Sequence, residues 1–138
     1  MTAVPLVAYD FRVTIGATEI GFREVSGLQR EVLAAGAEGF PPHAHAAEHE
    51  IFVVLDGEGA VRLGDDEHPV RPGSVVDRPA ASRVAHSFVA GGGSLDLLAW
   101  GTRVVNDYVV YPRSGKASLR GIGVRFRPEQ LDYWDGEE

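Results

Sequence analysis

The sequence contains no cysteine, and this absence excludes disulfide frameworks, thiolate metal sites and cysteine nucleophiles. Any metal must therefore be held by nitrogen and oxygen ligands. The sequence also lacks the run of ~20 apolar residues that a membrane-spanning helix requires, so we expect no membrane partner. The opening residues, MTAVPLVAYDFR, lack the basic start and apolar segment of a signal peptide, and we expect a cytoplasmic protein.

Positive charge is scarce, because 13 lysines and arginines face 20 aspartates and glutamates, for a formal net charge of −7. The basic residues are scattered rather than grouped in one block. This charge opposes the phosphate backbone, so nucleic acid is not an expected partner. A chain of 138 residues has room for one core, and we expect a single domain over residues 1–138.

A helical pattern is also missing, since no apolar spacing of period 3.6 persists for about ten residues. The 17 glycines and 8 prolines instead separate short runs rich in β-branched residues. The sequence therefore predicts an all-β protein, and short, closely spaced strands favour a sandwich or jelly-roll barrel with a pocket at its mouth. The candidate strands are residues 11–15, 29–34, 50–55, 60–63, 68–70, 74–77, 84–89 and 94–100.

Histidine is concentrated before the run at residues 50–55, which is apolar on both faces and is expected to be a central strand covered on each side. His43 and His45 are separated by one residue, so on an extended segment they point the same way, ~6.6 Å apart. Glu50 opens the following strand, and His86 can close the site from across the barrel. Three imidazoles and a carboxylate suit a divalent transition metal such as Fe, Mn, Ni or Zn.

Other polar residues near these candidates are expected to lie outside the site. His49 neighbours Glu50, and adjacent residues on a strand point to opposite faces. Glu48 and His68 are expected at the surface. Three arginines can bind a carboxylate or phosphate inside the barrel, although surface salt bridges are favoured for each of them: Arg78, Arg83 and Arg103.

The C-terminal residues are rich in aromatic side chains, which is unusual for a solvated, disordered end. We expect this segment to pack on the barrel or on a second subunit, and we expect a homodimer. Three of its aromatics can line a pocket or serve as packing anchors, with packing expected for at least two: Tyr108, Tyr111 and Trp134.

The histidine segment resembles the first motif of the cupins, G-x5-H-x-H-x3,4-E-x6-G. His43, His45, Glu50 and Gly57 match its spacing. The opening glycine does not match, because Gly39 leaves three residues before His43 where the motif has five.

A second segment resembles the second cupin motif, G-x5-P-x-G-x2-H-x3-N, in part. Gly73 and Pro79 fit the pattern. Ala81 stands in place of the glycine, His86 comes two residues late, and Ala90 replaces the asparagine.

The resemblance covers residues 28–100 by motif, with an N-terminal strand segment before them and the aromatic segment after them. It implies a double-stranded β-helix jelly-roll barrel, frequently dimeric, with a metal held by His43, His45, Glu50 and His86. An apolar lining is expected from Phe52, Val54, Phe88, Leu98 and Trp100.

The reaction is left open by the resemblance, because a fold does not fix a function. We expect a metal-binding protein that acts on or binds a small organic molecule. A metal-dependent dioxygenase, isomerase or decarboxylase is compatible with the pattern, and the catalytic residues are not identified. The alternatives are a non-catalytic binding or sensing module and a structural role, which intact ligands disfavour.

Overall fold

The computed structural model describes residues 13–15, 18–20 and 26–137. Within these ranges the chain forms strands and one 3-10 helix, Arg120–Ile122, but no α-helix, so the expected all-β class is confirmed. The strands are β1 (Val13–Ile15), β2 (Thr18–Ile20), β3 (Ser26–Leu33), β4 (Ala44–His45), β5 (Glu50–Asp56), β6 (Gly59–Leu63), β7 (Asp66–Val70), β8 (Val75–Arg78), β9 (His86–Ala90), β10 (Leu95–Thr102), β11 (Tyr108–Tyr111), β12 (Lys116–Leu119) and β13 (Val124–Phe126).

The eight predicted strands correspond to β1, β3 and β5 to β10, although residues 11 and 12 lie outside the described ranges. Five strands were not predicted: β2, β4, β11, β12 and β13. None of the helical structure in the described part of the chain is long and apolar enough to cross a membrane.

Two layers of strands enclose the interior. One layer has the order β3-β10-β5-β8, and the other combines β13-β12-β11-β4 with β7-β6-β9. An isolated bridge between His43 and His86 joins the two parts of the second layer. The β1–β2 pair forms a separate two-stranded sheet. This arrangement is the jelly-roll architecture that the short strands predicted.

The apolar core lies between the layers, where β5 and β10 present alternate side chains inward. Val54, Leu95 and Leu97 are fully buried, and Phe52 packs against Phe88 with ring centroids 4.9 Å apart. The expectation that β5 is covered on both faces was wrong, because Leu55, on its other face, is 44% exposed. One face alone of this strand therefore belongs to the core.

The two motif segments require unusual backbone conformations. Gly57 has φ +80°, and a Cβ there would collide with the carbonyl oxygen of Ser94, so a glycine is required for both reasons. Ala81 has φ +59° at the position where the cupin motif has glycine. The left-handed conformation is therefore kept at Ala81 in spite of its side chain, which costs of order 1 kcal/mol.

Candidate metal centre

The segment around β4 positions the paired histidines. His43 exchanges two backbone hydrogen bonds with His86 of β9, at 3.2 and 2.9 Å, and His45 lies opposite Val109 of β11. The segment therefore joins both parts of the second layer. Because residues two apart on an extended chain share a face, both imidazoles point into the same cavity.

All four residues predicted as ligands approach one point. The Oε2 atom of Glu50 lies 3.1 Å from His86 Nε2, 3.4 Å from His45 Nε2 and 4.0 Å from His43 Nε2. The ligand atoms of His43, His45 and Glu50 lie within 4.8 Å of one another, and His86 joins this group through Glu50. The convergence of residues from three separate segments was thus anticipated by their spacing and chemistry.

Two atoms at this point lack hydrogen-bond partners among the described residues. Glu50 Oε2 and His86 Nε2 are both buried, and although they are 3.1 Å apart they do not meet in hydrogen-bonding geometry. A buried carboxylate oxygen without a partner is unfavourable unless a cation is near. Ligand atoms bound to one ion at ~2.1 Å lie about 3.0–3.4 Å apart, so these side chains fit a divalent metal.

The second nitrogen of each paired histidine is held by an acceptor. His43 Nδ1 lies 2.8 Å from the carbonyl oxygen of Pro41, and His45 Nδ1 lies 2.6 Å from Asp107 Oδ2. An Nδ1–H that donates to these oxygens leaves the lone pair on Nε2, which faces Glu50. This is the tautomer that metal-ligating histidines adopt.

The pKa shifts favour the protonation states that a metal requires. Burial lowers the pKa of His43, and the neighbouring His86 lowers it further. Burial acts to raise the pKa of Glu50, but the surrounding histidines outweigh it and hold that pKa below its ordinary value. A neutral imidazole and an ionised carboxylate are therefore favoured together near neutral pH.

Asp107 supports the site and was missed by sequence reasoning. The residue is fully buried, and its Oδ1 accepts the backbone N–H groups of Ala47 and Glu48 at 2.9 and 3.2 Å. Its other oxygen accepts from His45. One carboxylate thus fixes both the turn before β5 and the His45 ring, and no local pattern reveals a partner about sixty residues away in the chain.

The expectation that Glu48 lies at the surface was wrong, since the residue is 2% exposed. Its carboxylate pairs with Arg120, lies 3.7 Å from Arg103 Nη1 and accepts the N–H of Val104 at 3.1 Å. His45, Glu48 and Asp107 form a second group with metal-ligand spacing. Because Arg120 and Arg103 together balance the charges of these two carboxylates, this group supports His45 rather than forming a metal site of its own.

A cavity of about 390 Å³ opens beside the four converging residues. Phe52, Phe88 and Trp100 line it as expected, whereas Val54 lies in the core and Leu98 is not among the lining residues. Tyr111 also lines it and stacks on His43 with ring centroids 5.9 Å apart. The volume is suited to a small organic molecule.

Glu31, on β3, contributes a carboxyl group to the cavity wall. Burial, reinforced by the negative charge of Glu50, raises the pKa of Glu31 to about 7. A carboxyl that titrates near neutral pH is suited to accepting and donating a proton. Sequence reasoning found no such group, because Glu31 reaches the cavity only through the pairing of β3 with β10.

The other histidines and arginines considered in the sequence analysis lie outside the group of four converging residues. His49 is outside the centre, with its side chain 40% exposed and paired with Asp77, and His68 is exposed. Arg78 donates to Ser82 Oγ at 3.1 Å and to the carbonyl oxygen of Val84 at 2.7 Å. Arg103 lines the cavity, and its side chain, 39% exposed, lies 3.7 Å from Glu48, so the expected salt bridge is present for this arginine. The same expectation was wrong for Arg78 and Arg83, because no carboxylate among the described residues pairs with either of them.

We predict that Asp107→Asn weakens metal binding about 10- to 100-fold while the fold is retained. The asparagine keeps one oxygen for the turn but presents an amino group to His45 Nδ1. The ring proton then moves to Nε2 and removes the lone pair from the centre. Metal titration of the chelator-treated protein measures the effect, with Asp77→Asn as the control. Parent affinity in Asp107→Asn would contradict the positioning role.

We predict that Glu31→Gln makes the metal-free protein more stable at alkaline pH. The pKa of Glu31 is raised to about 7, so its stabilising contribution is complete below about 4.5 and is lost as pH rises through about 7. The variant avoids this loss, so its free energy of unfolding exceeds that of the parent by a difference that grows over that interval to ~1–2 kcal/mol. This value is reduced because the Glu31 side chain is partly exposed to solvent. Urea unfolding at pH 5 and pH 8 measures it; an equal difference at both pH values contradicts the shift.

The chain is similar in structure to several solved proteins. It aligns with a provisionally assigned sugar phosphate isomerase from Acidithiobacillus ferrooxidans at 28% identity and a TM-score of 0.71, covering 78% of this chain and 72% of the other. A sugar phosphate isomerase of the cupin superfamily from Silicibacter pomeroyi gives 19% identity and a TM-score of 0.70, covering 94% and 98%. A polyketide cyclase from Streptomyces resistomycificus gives 29% identity and a TM-score of 0.50, covering 57% and 55%.

Sequence comparison gives the family. No curated protein matches the chain at a significant level. The sequence profile of the cupin domain matches residues 29–100, which is more than half of the chain and contains all four converging side chains. With the double-layered β architecture, this match shows that the chain belongs to the cupin family.

Proposed function

We propose that the protein is a metal-dependent cupin that acts on a small organic molecule, with His43, His45, Glu50 and His86 as metal ligands. The observation that carries this proposal is the meeting of three imidazole nitrogens with Glu50 Oε2, where two buried atoms have no hydrogen-bond partner in the described part of the chain. A divalent Fe, Mn, Ni or Zn ion bound there would act as a Lewis acid on a substrate oxygen.

The cavity supplies the rest of the proposed chemistry. Apolar rings on its walls exclude water from a bound molecule, while Glu31 adds a carboxyl whose raised pKa, about 7, allows proton transfer in either direction near neutral pH. Among a dioxygenase, an isomerase and a decarboxylase, this feature favours an isomerase. Isomerisation of a hydroxycarbonyl compound moves one proton from a carbon to its neighbour and a second proton from the hydroxyl oxygen to the carbonyl oxygen. Glu31 can take the carbon-bound proton and return it to the neighbouring carbon.

The structural comparison supports the same reaction class. The Acidithiobacillus ferrooxidans protein is provisionally assigned as a sugar phosphate isomerase, and it combines 28% identity with coverage of 78% of this chain. The polyketide cyclase aligns over a smaller share, 57%. An isomerase of a small hydroxycarbonyl compound is therefore our preferred reaction, with Glu31 as the proton-transfer group. A non-catalytic binding module would need the same metal ligands, but it would not need a proton-transfer group such as Glu31.

The predicted homodimer and the cytoplasmic location remain predictions. The dimer is supported by the exposure of apolar residues in the C-terminal segment, where Leu131 is 60% exposed, Tyr133 84% and Trp134 68%. The rings of Tyr133 and Trp134 contact each other, with their centroids 5.0 Å apart. Exposed apolar groups of this kind are typical of a surface that a partner covers.

We predict that the double variant His43→Ala, His45→Ala loses metal, whereas His49→Ala and His68→Ala keep about one ion per chain. The double variant should still fold, because the core consists of apolar side chains such as Leu95, Leu97 and Val54. Elemental analysis of protein purified without a metal-affinity column measures the metal, and circular dichroism verifies the fold. Equal metal content in the double variant and the parent would contradict the proposed ligands.

A further inference from the structure

Basic side chains are concentrated at the cavity, although the formal net charge of the chain is −7. Four basic side chains line it, together with three glutamates and the histidines of the centre. The basic ones are Arg103, Lys116, Arg120 and Arg125. Lys116 is the only lysine in the sequence. The distribution of charge at this cavity is therefore different from that of the molecule as a whole.

Two of the arginines are already engaged. Arg120 pairs with Glu48 and lies 3.8 Å from Asp107, and Arg103 lies 3.7 Å from Glu48. Two guanidinium groups thus face two buried carboxylates, and their charges balance. As a result, Glu48 does not reduce the field of the other two cations, Lys116 and Arg125.

Lys116 and Arg125 lack such partners. No carboxylate in the described part of the chain pairs with either side chain. Among the other described residues, Arg71, Arg78, Arg83 and Arg127 also lack one, but these residues lie outside the cavity lining. The Lys116 ammonium is held instead over the ring of Tyr111, with Nζ 4.9 Å from the centroid. A cation–π contact leaves the ammonium able to bind an anion as well.

The sheet places both cations on the same face as the metal centre. Arg125 is paired with Ser118, Ser118 with Val109, and Val109 with His45. Directly opposed residues share a face, and at ~4.8 Å per strand the Arg125 backbone lies about 14 Å across the sheet from that of His45. Lys116, two residues before Ser118, shares this face.

The two cations therefore stand at the side of the cavity away from the metal ligands. Lys116 is linked to the centre through Tyr111, whose ring stacks on His43 at 5.9 Å. A small molecule in the cavity can reach the metal ligands with one end and the cations with the other. In a concave site, unpaired charges of one sign concentrate ligands of the opposite sign.

We propose that Lys116 and Arg125 bind an oxyanionic group of the molecule that the cavity holds, so that the substrate is a small phosphate ester or carboxylate. This inference deepens the proposed function and rests on it, because the bound molecule is a substrate only if the protein is an enzyme. The two residues bind the anion and orient the molecule, and they take no part in proton transfer. An arginine fork and an ammonium together suit the several oxygens of such a group.

The single lysine allows a direct test, because Lys116 carries the only side-chain amine. The metal-loaded protein is reductively methylated in sodium phosphate, sodium acetate or sodium chloride at equal ionic strength, and peptide mass spectrometry follows Lys116 and the N-terminal amine. We expect phosphate or acetate to slow Lys116 methylation about five-fold or more relative to chloride, while the N-terminal amine is unaffected. The more protective anion identifies the phosphate or the carboxylate class.

Variants distinguish anion binding by the two cations from anion binding by the metal. Arg125→Ala should lose most of the protection, and Arg71→Ala, in an exposed loop, should keep it. Protection that persists in the metal-free His43→Ala, His45→Ala protein supports the inference even if the metal proposal fails. Equal methylation rates in all three salts, or protection that disappears when the metal is removed, would overturn it.

Discussion

The site depends on one buried carboxylate oxygen, Glu50 Oε2, which three imidazole nitrogens approach and no hydrogen-bond donor in the described residues satisfies. An ionised oxygen in this position is unfavourable in the absence of a cation, because burial removes its hydration. The surrounding side chains nevertheless favour its ionised form, since they hold the pKa of Glu50 below its ordinary value. A bound cation would resolve this conflict, and this is the physical basis of the proposed metal site.

The surrounding structure holds the imidazoles in the geometry that the cation needs. The carbonyl oxygen of Pro41 and the carboxylate of Asp107 fix the Nδ1 atoms of His43 and His45. Asp107 also accepts the backbone N–H groups of the turn before β5. The same carboxylate thus orients one ligand and fixes the turn that leads to Glu50, so the two halves of the first motif are coupled through a residue that the motif does not contain.

The fold class and the four converging residues could be predicted because their signals are local. Alternation places His43 and His45 on one side, and Glu50 begins a recognisable strand. His86 was found two residues away from the position that the family pattern gives, and the chain between it and Pro79 includes two residues with positive φ, Ala81 and Arg83.

The residues that were missed reach the site through long-range pairing. Glu31 lines the cavity because β3 pairs with β10, and Asp107 reaches His45 from a distant loop. Glu48 was expected at the surface because strand alternation does not describe the turn that buries it. The strands β11 to β13 were missed for a related reason, since their aromatic residues indicated packing but not a sheet that extends the cavity wall.

X-ray absorption spectroscopy at the edge of the metal that copurifies with the protein tests the proposed four-residue metal site most directly. We expect a first coordination sphere of nitrogen and oxygen atoms at ~2.0–2.2 Å, with multiple scattering from about three imidazole rings and a carboxylate. A spectrum with no imidazole scattering, from a metal bound elsewhere on the acidic surface, would contradict it.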